Sequence, residues 1–193
     1  MSTGALVLAA GLSSRMGEPK MLLPWGRGTV LSTVVESLLG AGLEQVMVVL
    51  GHRAGEVVQA LGPFRLDHRV RTCVNDRYRE GMLTSLQAGV RALGGGNILV
   101  ALGDQPLVAP GVVAEVLAAH AGGLTVPSFG GRRGHPVCID ASLTGPLLAL
   151  PAETGLRKLF QDYPERVKTV AVSSGGILID LDTPADYARQ RAV

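Results

Sequence analysis

The segment from Ala9 to Lys20 holds the side chains best suited to bind an anion. Its glycines allow backbone N–H groups to converge on one point, and Ser13 and Ser14 add hydroxyl donors. Arg15 and Lys20 supply two permanent positive charges. The spacing matches neither G-x-G-x-x-G nor G-x-x-x-x-G-K-S/T, so the usual dinucleotide-binding and P-loop motifs do not apply. The composition still predicts a phosphate-binding loop, and a flexible loop with two solvated charges is the alternative interpretation.

Carboxylates at two predicted strand ends are the candidate metal ligands. Asp104 follows an apolar run and stands between a glycine and a Gln-Pro pair. A carboxylate in that position is placed to bind Mg²⁺ together with substrate phosphates, and a turn-forming aspartate is the alternative. Asp180 and Asp182 flank the end of another apolar run and would point to the same side of a strand. Asp182 is therefore either a second metal ligand or part of the cap of the last helix.

Two further polar segments follow predicted strands. The segment from Asn75 to Ser85 leads into a helix, and we expect Ser85 to face back toward the first loop; capping of the first helical turn is the alternative. The segment from Gly130 to Pro136 combines glycines, two arginines and a histidine. These residues suit an anionic second substrate, or an ordinary hairpin turn with solvated arginines. The remaining histidines lack the spacing of a metal-hydrolase site.

These segments need a scaffold that brings strand ends together, and the hydrophobic pattern predicts one. Apolar runs of strand length alternate with helix-periodic stretches as far as Leu102. This alternation is typical of βαβ units with a parallel sheet, in which ligands bind beyond the carboxyl ends of the strands. The predicted strands are Ala5–Ala10, Gln45–Leu50, Arg69–Val74 and Asn97–Leu102, and the predicted helices are Thr29–Leu39, Gly55–Leu61 and Leu83–Leu93.

Beyond Asp104 the alternation loosens. A helix is predicted from Pro110 to His120, with proline in its first turn. Short apolar runs then predict an added mixed or antiparallel region of the sheet. Its strands are Leu124–Pro127, His135–Ile139 and Val167–Val172, and helices near Leu143–Leu150 and Gly155–Tyr163 cover it. A last strand is expected at Ile177–Leu181, and a closing helix starts after Thr183 as its cap.

Length and composition exclude several classes of function. The chain has 193 residues with 18 Lys+Arg and 16 Asp+Glu, a net charge of +2, and no linker or repeat, so we expect one domain over residues 1–193. A nucleic-acid partner is disfavoured because aromatics are few and no run of five like charges occurs. Cys73 and Cys138 lack disulfide or zinc spacing and are expected to be buried thiols. Without an apolar span or a targeting signal, no membrane association is expected, and the cytoplasm is the default.

The polar segments also match a known family, in order and over nearly the whole chain. The matching stretches are Leu8–Leu31, Asn75–Leu86, Leu102–Pro106, Gly134–Pro136 and Asp180–Tyr187. Together they resemble the molybdopterin-type nucleotidyltransferases, which are MobA-like NTP transferases, and within them the cytidylyl branch. The resemblance implies a single Rossmann-like, three-layer α/β domain with a mostly parallel sheet.

What the resemblance implies about activity is transfer of CMP from CTP to the terminal phosphate of molybdenum-molybdopterin, with Mg²⁺ and release of pyrophosphate. A molybdenum hydroxylase or its maturation factor is the implied protein partner. By the same resemblance, the backbones of Ala9, Ala10 and Gly11 would contact the nucleotide, and Arg15 and Lys20 would bind the triphosphate beside the hydroxyl of Ser13. Asp104 and Asp182 would bind Mg²⁺. Gly81 and Ser85 would contact the nucleoside, and Gly134, His135 and Pro136 would contact the pterin.

Two features bear on the base and leave alternatives open. Guanylyl relatives typically have Gly-Gly where this chain has Ala10 and Gly11, and the methyl group of Ala10 narrows the base pocket in favour of a pyrimidine. The turn around Gln105 nevertheless resembles the guanylyl enzymes. A guanylyltransferase or another small-phosphate nucleotidyltransferase of the same fold is therefore the first alternative. The second is a non-enzymatic chaperone for the molybdenum cofactor, which would not need Asp104.

Overall fold

The computed structural model describes residues 2–191 and has an eight-stranded sheet at its centre. The strands are β1 Thr3–Ala9, β2 Pro24–Trp25, β3 Gly28–Thr29, β4 Val46–Leu50, β5 Val70–Val74, β6 Asn97–Leu102, β7 Leu124–Phe129, β8 Arg132–Arg133, β9 Val137–Ile139 and β10 Val167–Ala171. The helices are α1 Val30–Gly40, α2 Ala54–Val57, α3 Met82–Leu93, α4 Pro110–Ala119, α5 Thr144–Ala149, α6 Arg157–Asp162 and α7 Pro184–Arg191.

The predicted parallel core is confirmed. The large sheet has the order β10-β7-β9-β6-β1-β4-β5, and β1 pairs in parallel with both β4 and β6. Because side chains alternate along a strand, Ala5 and Val7 pack into one apolar cluster with α1 and α4. Leu6 and Leu8 pack into a second cluster with α3, α5 and α6. The result is a three-layer α/β fold whose central strand is buried on both faces.

The predicted mixed region is also confirmed. Strand β9 lies between β6 and β7 and runs antiparallel to both. Strand β8 extends β7 as a short antiparallel hairpin, while β10 pairs with β7 in parallel. The site loops at Ala9, Asn75 and Asp104 all follow the carboxyl ends of parallel strands, as the topology requires.

The predicted strand at Ile177–Leu181 is wrong. Gly175–Leu178 is a 3-10 turn, and the chain continues without pairing in the sheet. Packing explains the difference: a Cβ on Gly176 would lie 2.2 Å from the backbone oxygen of Leu107, so this turn sits directly on the loop after β6. Ile177 is apolar because it is buried in that contact, 1% exposed, rather than because it belongs to a strand.

Smaller differences concern short elements. The helix predicted at Gly55–Leu61 is α2 followed by a 3-10 stretch, Val58–Leu66, which contains a kink at Gly62 with φ +53°. Strands β2 and β3 form a hairpin, too short to show in the hydrophobic pattern. Among the described residues, no helix is long and apolar enough to cross a membrane.

Candidate functional site

Four charged side chains from distant parts of the chain meet beyond the end of β1. The Nζ atom of Lys20 donates to the carboxylate of Asp104 and, at 3.2 Å, to Oδ1 of Asp182. Arg15 donates from Nη2 to Oδ2 of Asp182 at 2.9 Å. The sequence predicted these four residues as the triphosphate-binding and metal-binding groups. The structure brings all four into one cluster of two cations and two carboxylates.

Burial and charge act against each other within this cluster. The side chains of Lys20 and Asp104 are only 12% and 13% exposed. Burial alone would lower the pKa of Lys20, but the nearby charges of Asp104 and Asp182 outweigh it, and the pKa is raised above its ordinary value. Burial raises the pKa of Asp104 even against the opposing effect of Lys20. The carboxylate therefore depends on a cation beside it to stay ionised at low energetic cost.

The loop after β1 is held by Ser13. This residue has a φ of +51°, in the left-handed region, and its backbone oxygen accepts from the N–H groups of Met16 at 3.0 Å and Gly17 at 3.2 Å. Its Oγ accepts from the backbone N–H of Lys20 at 3.3 Å. The hydroxyl predicted to bind phosphate is thus used to fold the loop back and set the start of Lys20.

Asp182 reaches the cluster because the segment before it docks on the Asp104 turn. The backbone N–H of Leu181 donates to the backbone oxygen of Asp104 at 3.1 Å. The amide of Gln105 donates to Oδ1 of Asp180 at 2.7 Å. Leu181 itself is fully buried in a small apolar cluster with Val30. Asp180 and Asp182 therefore point to different partners, contrary to the same-side arrangement expected from a strand.

The cap of the last helix does not use Asp182. Thr183 Oγ1 accepts from the N–H of Asp186 at 3.1 Å, and the Asp186 carboxylate accepts from the N–H of Thr183 at 3.0 Å. This reciprocal arrangement satisfies the start of α7. The structure therefore assigns the cap to Thr183 and Asp186, and Asp182 contacts Arg15 and Lys20 instead.

A cleft of about 380 Å³ opens beside the cluster. Its lining includes Lys20 and Asp104 at one end and Ala10, Gly11 and Tyr78 along the wall. The backbone oxygen of Ala10 accepts from the N–H of a residue after β4, His52, at 3.2 Å, which fixes this part of the wall. An added Cβ on Gly11 would meet no atom within 4 Å. Gly11 is thus open to a ligand, whereas Ala9, 1% exposed and paired with Leu50 at the end of β1, does not line the cleft.

Gly81 and Ser85 lie in the same cleft. Ser85 is 4% exposed, and its Oγ accepts from the Asn75 amide at 2.9 Å. The same amide donates to Thr84 Oγ1 at 2.9 Å. Asn75 thus positions Ser85 and Thr84, a role that the sequence analysis did not assign. The one feature of the sequence that could have indicated it is a polar side chain directly after a predicted strand. Gly81 has a φ of +118°, a conformation that favours glycine at the entry to α3.

The cleft continues away from the charged cluster. A middle part of about 190 Å³ shares Gly81 and Met82 with the first cleft. A third part of about 640 Å³ shares Met82 and His135 with the middle one and is also lined by Gly134. Burial lowers the pKa of His135, with Asp180 opposing the change, which favours a neutral imidazole.

Pro136 does not line this cleft. It is buried and borders a small interior gap with Val34 and Gln105 on the other side of the sheet. Gly134 lines the third part of the cleft but also packs tightly, because a Cβ there would lie 2.2 Å from the Ile177 oxygen. Of the three residues predicted on the acceptor side, His135 is the one whose side chain is placed to contact a ligand.

The donor set agrees with Mg²⁺ brought in with a nucleotide. Asp104 and Asp182 already share one cation, the ammonium group of Lys20. In the part of the chain that the structure describes, no cluster of three or more His, Cys, Asp or Glu residues is arranged to hold a metal ion. Magnesium commonly binds through one or two carboxylates plus substrate phosphates and water, so two carboxylates beside two cations and an open cleft fit that mode.

Comparison with known proteins agrees with this geometry. The MobA-like NTP transferase domain family matches residues 5–167. Molybdenum cofactor cytidylyltransferase of Escherichia coli K12 is 29% identical over 184 residues, which cover 94% of this chain and 92% of that protein. Nicotine blue oxidoreductase of Paenarthrobacter nicotinovorans is 34% identical over 194 residues, with coverage of 94% and 92%.

Solved structures give the same fold over the whole length. A nucleotidyl transferase from Methanothermobacter has a TM-score of 0.86 and 34% identity, and the match covers 99% of this chain and 96% of that one. A structure of Rv0371c from Mycobacterium tuberculosis in complex with manganese has a TM-score of 0.77 and 28% identity, with coverage of 100% and 99%. A similar protein therefore binds a divalent metal ion.

Proposed function

Because the chain belongs to the MobA-like NTP transferase family, we propose that it is a Mg²⁺-dependent cytidylyltransferase that transfers CMP from CTP to molybdenum-molybdopterin and releases pyrophosphate. The observation that carries the proposal is the cluster in which Lys20 contacts both Asp104 and Asp182 beside the 380 Å³ cleft. Two carboxylates and two cations beside an open cleft are the groups that Mg²⁺-assisted phosphate chemistry uses.

Nucleotidyl transfer depends mainly on neutralising the negative charge of the phosphates and on positioning the reacting groups. The attacking phosphate and the α-phosphate are both anionic, so cations must bring them together and offset the charge that develops. Arg15 and Lys20 would bind the triphosphate, and Asp104 and Asp182 would hold Mg²⁺, which when bound withdraws charge from phosphate oxygens. A phosphate oxygen is already largely ionised at neutral pH, and the reaction therefore requires no general base.

The nucleotide would lie along the wall of the cleft. The backbones of Ala9, Ala10 and Gly11 would follow the base and ribose, and Gly81 and Ser85 would contact the nucleoside from the opposite element. Ala10 is only 5% exposed and adjoins Gly51, where even an added Cβ would lie 2.8 Å from the Ala10 Cβ. This contact fixes the methyl group of Ala10 in the wall, and the choice of CTP rests on Ala10, where guanylyl relatives typically have glycine.

The acceptor assignment rests on the curated relative, molybdenum cofactor cytidylyltransferase, whose match spans almost the full length of both proteins. We place the reaction in the cytoplasm as part of a single catalytic domain, and a molybdenum hydroxylase or its maturation factor would receive the product.

A pyrophosphate-release screen tests the proposal. The protein is incubated with each of the four ribonucleoside triphosphates, with and without molybdenum-molybdopterin, in Mg²⁺ and in EDTA. We expect release with CTP only when the acceptor and Mg²⁺ are both present. Release with GTP instead would favour the guanylyl alternative. Reduction of a dye without any triphosphate, as the name of nicotine blue oxidoreductase suggests for that relative, would overturn the proposal.

A further inference from the structure

The largest part of the cleft lies beyond the charged cluster and carries positive charge. It has a volume of about 640 Å³, against about 380 Å³ for the part beside Lys20 and Asp104. Arg133 and Arg157 line it, together with the apolar side chains of Leu156 and Phe160. Both volumes fall within the range of small-molecule sites, about 300–1,000 Å³. The cleft thus has room for a second ligand as large as a nucleotide.

Strand register explains why one of two adjacent arginines faces this cavity. In the hairpin of β7 and β8, Arg133 is paired with Ser128 and Arg132 with Phe129. Paired residues share a face of the sheet, so Arg133 lies on the face of Val126, which also lines the cavity. Arg132 lies on the opposite face. The chain therefore offers a natural control one residue away from the candidate ligand-binding arginine.

Neither of the two arginines that line this cavity pairs with an acidic side chain of the described residues. Within residues 2–191, no carboxylate forms an ion pair with Arg133 or Arg157. Each arginine is exposed, and each comes from a different element, the β7–β8 hairpin and α6. Two unpaired guanidinium groups around one cavity with an aromatic side chain indicate a ligand with oxygen acceptors and a flat apolar surface.

We propose that Arg133 and Arg157 bind the end of the acceptor that lies away from its reacting phosphate, while Leu156 and Phe160 pack against a flat ring. This inference rests on the proposed function, because it needs an acceptor whose phosphate reaches the charged cluster. The continuous cleft supports such a ligand: Met82 borders all three parts, and His135 borders the middle part and the arginine-lined part.

The ligand class follows from these contacts. It has a phosphate at one end and, at the other, a planar heteroaromatic ring whose carbonyl oxygen and adjacent ring nitrogen a guanidinium group can bind side by side. A pterin with a phosphorylated side chain meets this description. A sugar 1-phosphate has no flat ring against which Leu156 and Phe160 could pack.

A binding experiment tests the inference without turnover. Calorimetry at about 0.15 M salt measures the affinity of the wild-type protein and three arginine variants for neopterin monophosphate. We expect Arg133→Ala and Arg157→Ala each to weaken binding about tenfold or more, the effect of a lost charge-assisted hydrogen bond. Arg132→Ala should bind like the wild type. Glycerol 3-phosphate, which lacks the ring, should bind weakly and equally to all four proteins.

Steady-state kinetics separate this inference from the proposed function. In the pyrophosphate assay, Arg133→Ala and Arg157→Ala should raise the KM for the acceptor and leave the KM for CTP unchanged. Wild-type pterin affinity in both variants, or an equal loss in Arg132→Ala, would overturn the inference. If the wild type releases no pyrophosphate but the calorimetric pattern holds, the proposed reaction fails and the pterin site stands.

Discussion

At the scale of single residues, the main feature is the Lys20 ammonium group between two carboxylates. Asp104 and Asp182 would repel each other in the buried cleft without a cation, and Lys20 supplies one in the free protein. A metal ion that arrives with the triphosphate would take over part of this role and release Lys20 toward the phosphates. The raised pKa of Lys20 keeps it charged at neutral pH for either role.

Removing the charge of Asp104 should stop catalysis and preserve folding. Asp104→Asn keeps the shape of the side chain and leaves Lys20 paired with Asp182, so we expect the protein to fold with only a modest loss of thermal stability. Turnover should fall about 10²-fold or more, as when an electrostatic stabiliser is lost. The check is kcat at saturating Mg²⁺ together with Tm. Asp162→Asn is the control, since Asp162 is exposed and pairs only with Lys158 on α6. Wild-type turnover by Asp104→Asn would remove Asp104 from the site.

The base preference should depend in part on the methyl group of Ala10. A single methyl group is worth about 1–3 kcal/mol in a pocket of this kind, so Ala10→Gly should relax the preference for CTP over GTP about tenfold without reversing it. The rest would come from polar contacts near Ser85. The measurement is the CTP:GTP ratio of kcat/KM for both proteins. A wild-type preference for GTP would contradict the cytidylyl assignment and leave the charged cluster unaffected.

At the scale of elements, the segment from Gly175 to Asp182 shows where sequence reasoning succeeded and failed. The apolar run predicted a strand because Ile177 and Leu181 are buried, and burial alone does not distinguish a sheet strand from a segment packed on a loop. The two contacts that dock the segment, from Gln105 and from the Leu181 backbone, join residues far apart in sequence. Asp182 was still proposed as a site residue, because it stands beside the buried apolar run that was mistaken for a strand.

Other elements were predicted well for a related reason. The parallel strands and α1, α3 and α4 are long, strongly apolar and regular, so their periodicity fixed their type and approximate bounds. The charged residues of the site were found because they follow those strands. Asn75 and the separation of Pro136 from the cleft were missed, since both depend on which way a side chain turns after a strand ends.

The docked segment itself should be required for activity. Leu181 and Leu147 are both fully buried, but Leu181 lies next to Asp182 and Leu147 lies on α5 in the cluster across the sheet. Leu181→Ala and Leu147→Ala should each destabilise the protein by about 2–5 kcal/mol. At a temperature well below both Tm values, only Leu181→Ala should lose turnover, because Asp182 then moves from Lys20. An equal loss in both variants would mean that general destabilisation explains the effect. Leu181→Val provides a milder change if the alanine variant does not fold.

At the scale of the whole molecule, the chain closes on itself around the site. The hydroxyl of Tyr187 on α7 donates to the backbone oxygen of Pro24 at 2.6 Å, and its ring lies 6.1 Å from that of Trp25. The last helix is thereby tied to the hairpin of β2 and β3 that follows the first site loop. This contact joins two elements that adjoin the charged cluster in sequence, since Arg15 and Lys20 precede β2 and Asp182 precedes α7.

The closure predicts that residues 2–191 unfold as one cooperative unit. Trp25 is the single tryptophan, so its fluorescence reports the contact with α7, while far-UV circular dichroism reports the sheet and the helices. In a urea titration the two signals should give coincident curves, as expected for a two-state domain. Tyr187→Phe removes the hydrogen bond to Pro24 and keeps the ring, so it should shift both curves together to slightly lower urea concentration. A fluorescence transition at lower urea than the circular dichroism transition would contradict this prediction. It would mean that α7 and the β2–β3 hairpin separate before the sheet unfolds, and that the site is assembled only when they are in contact.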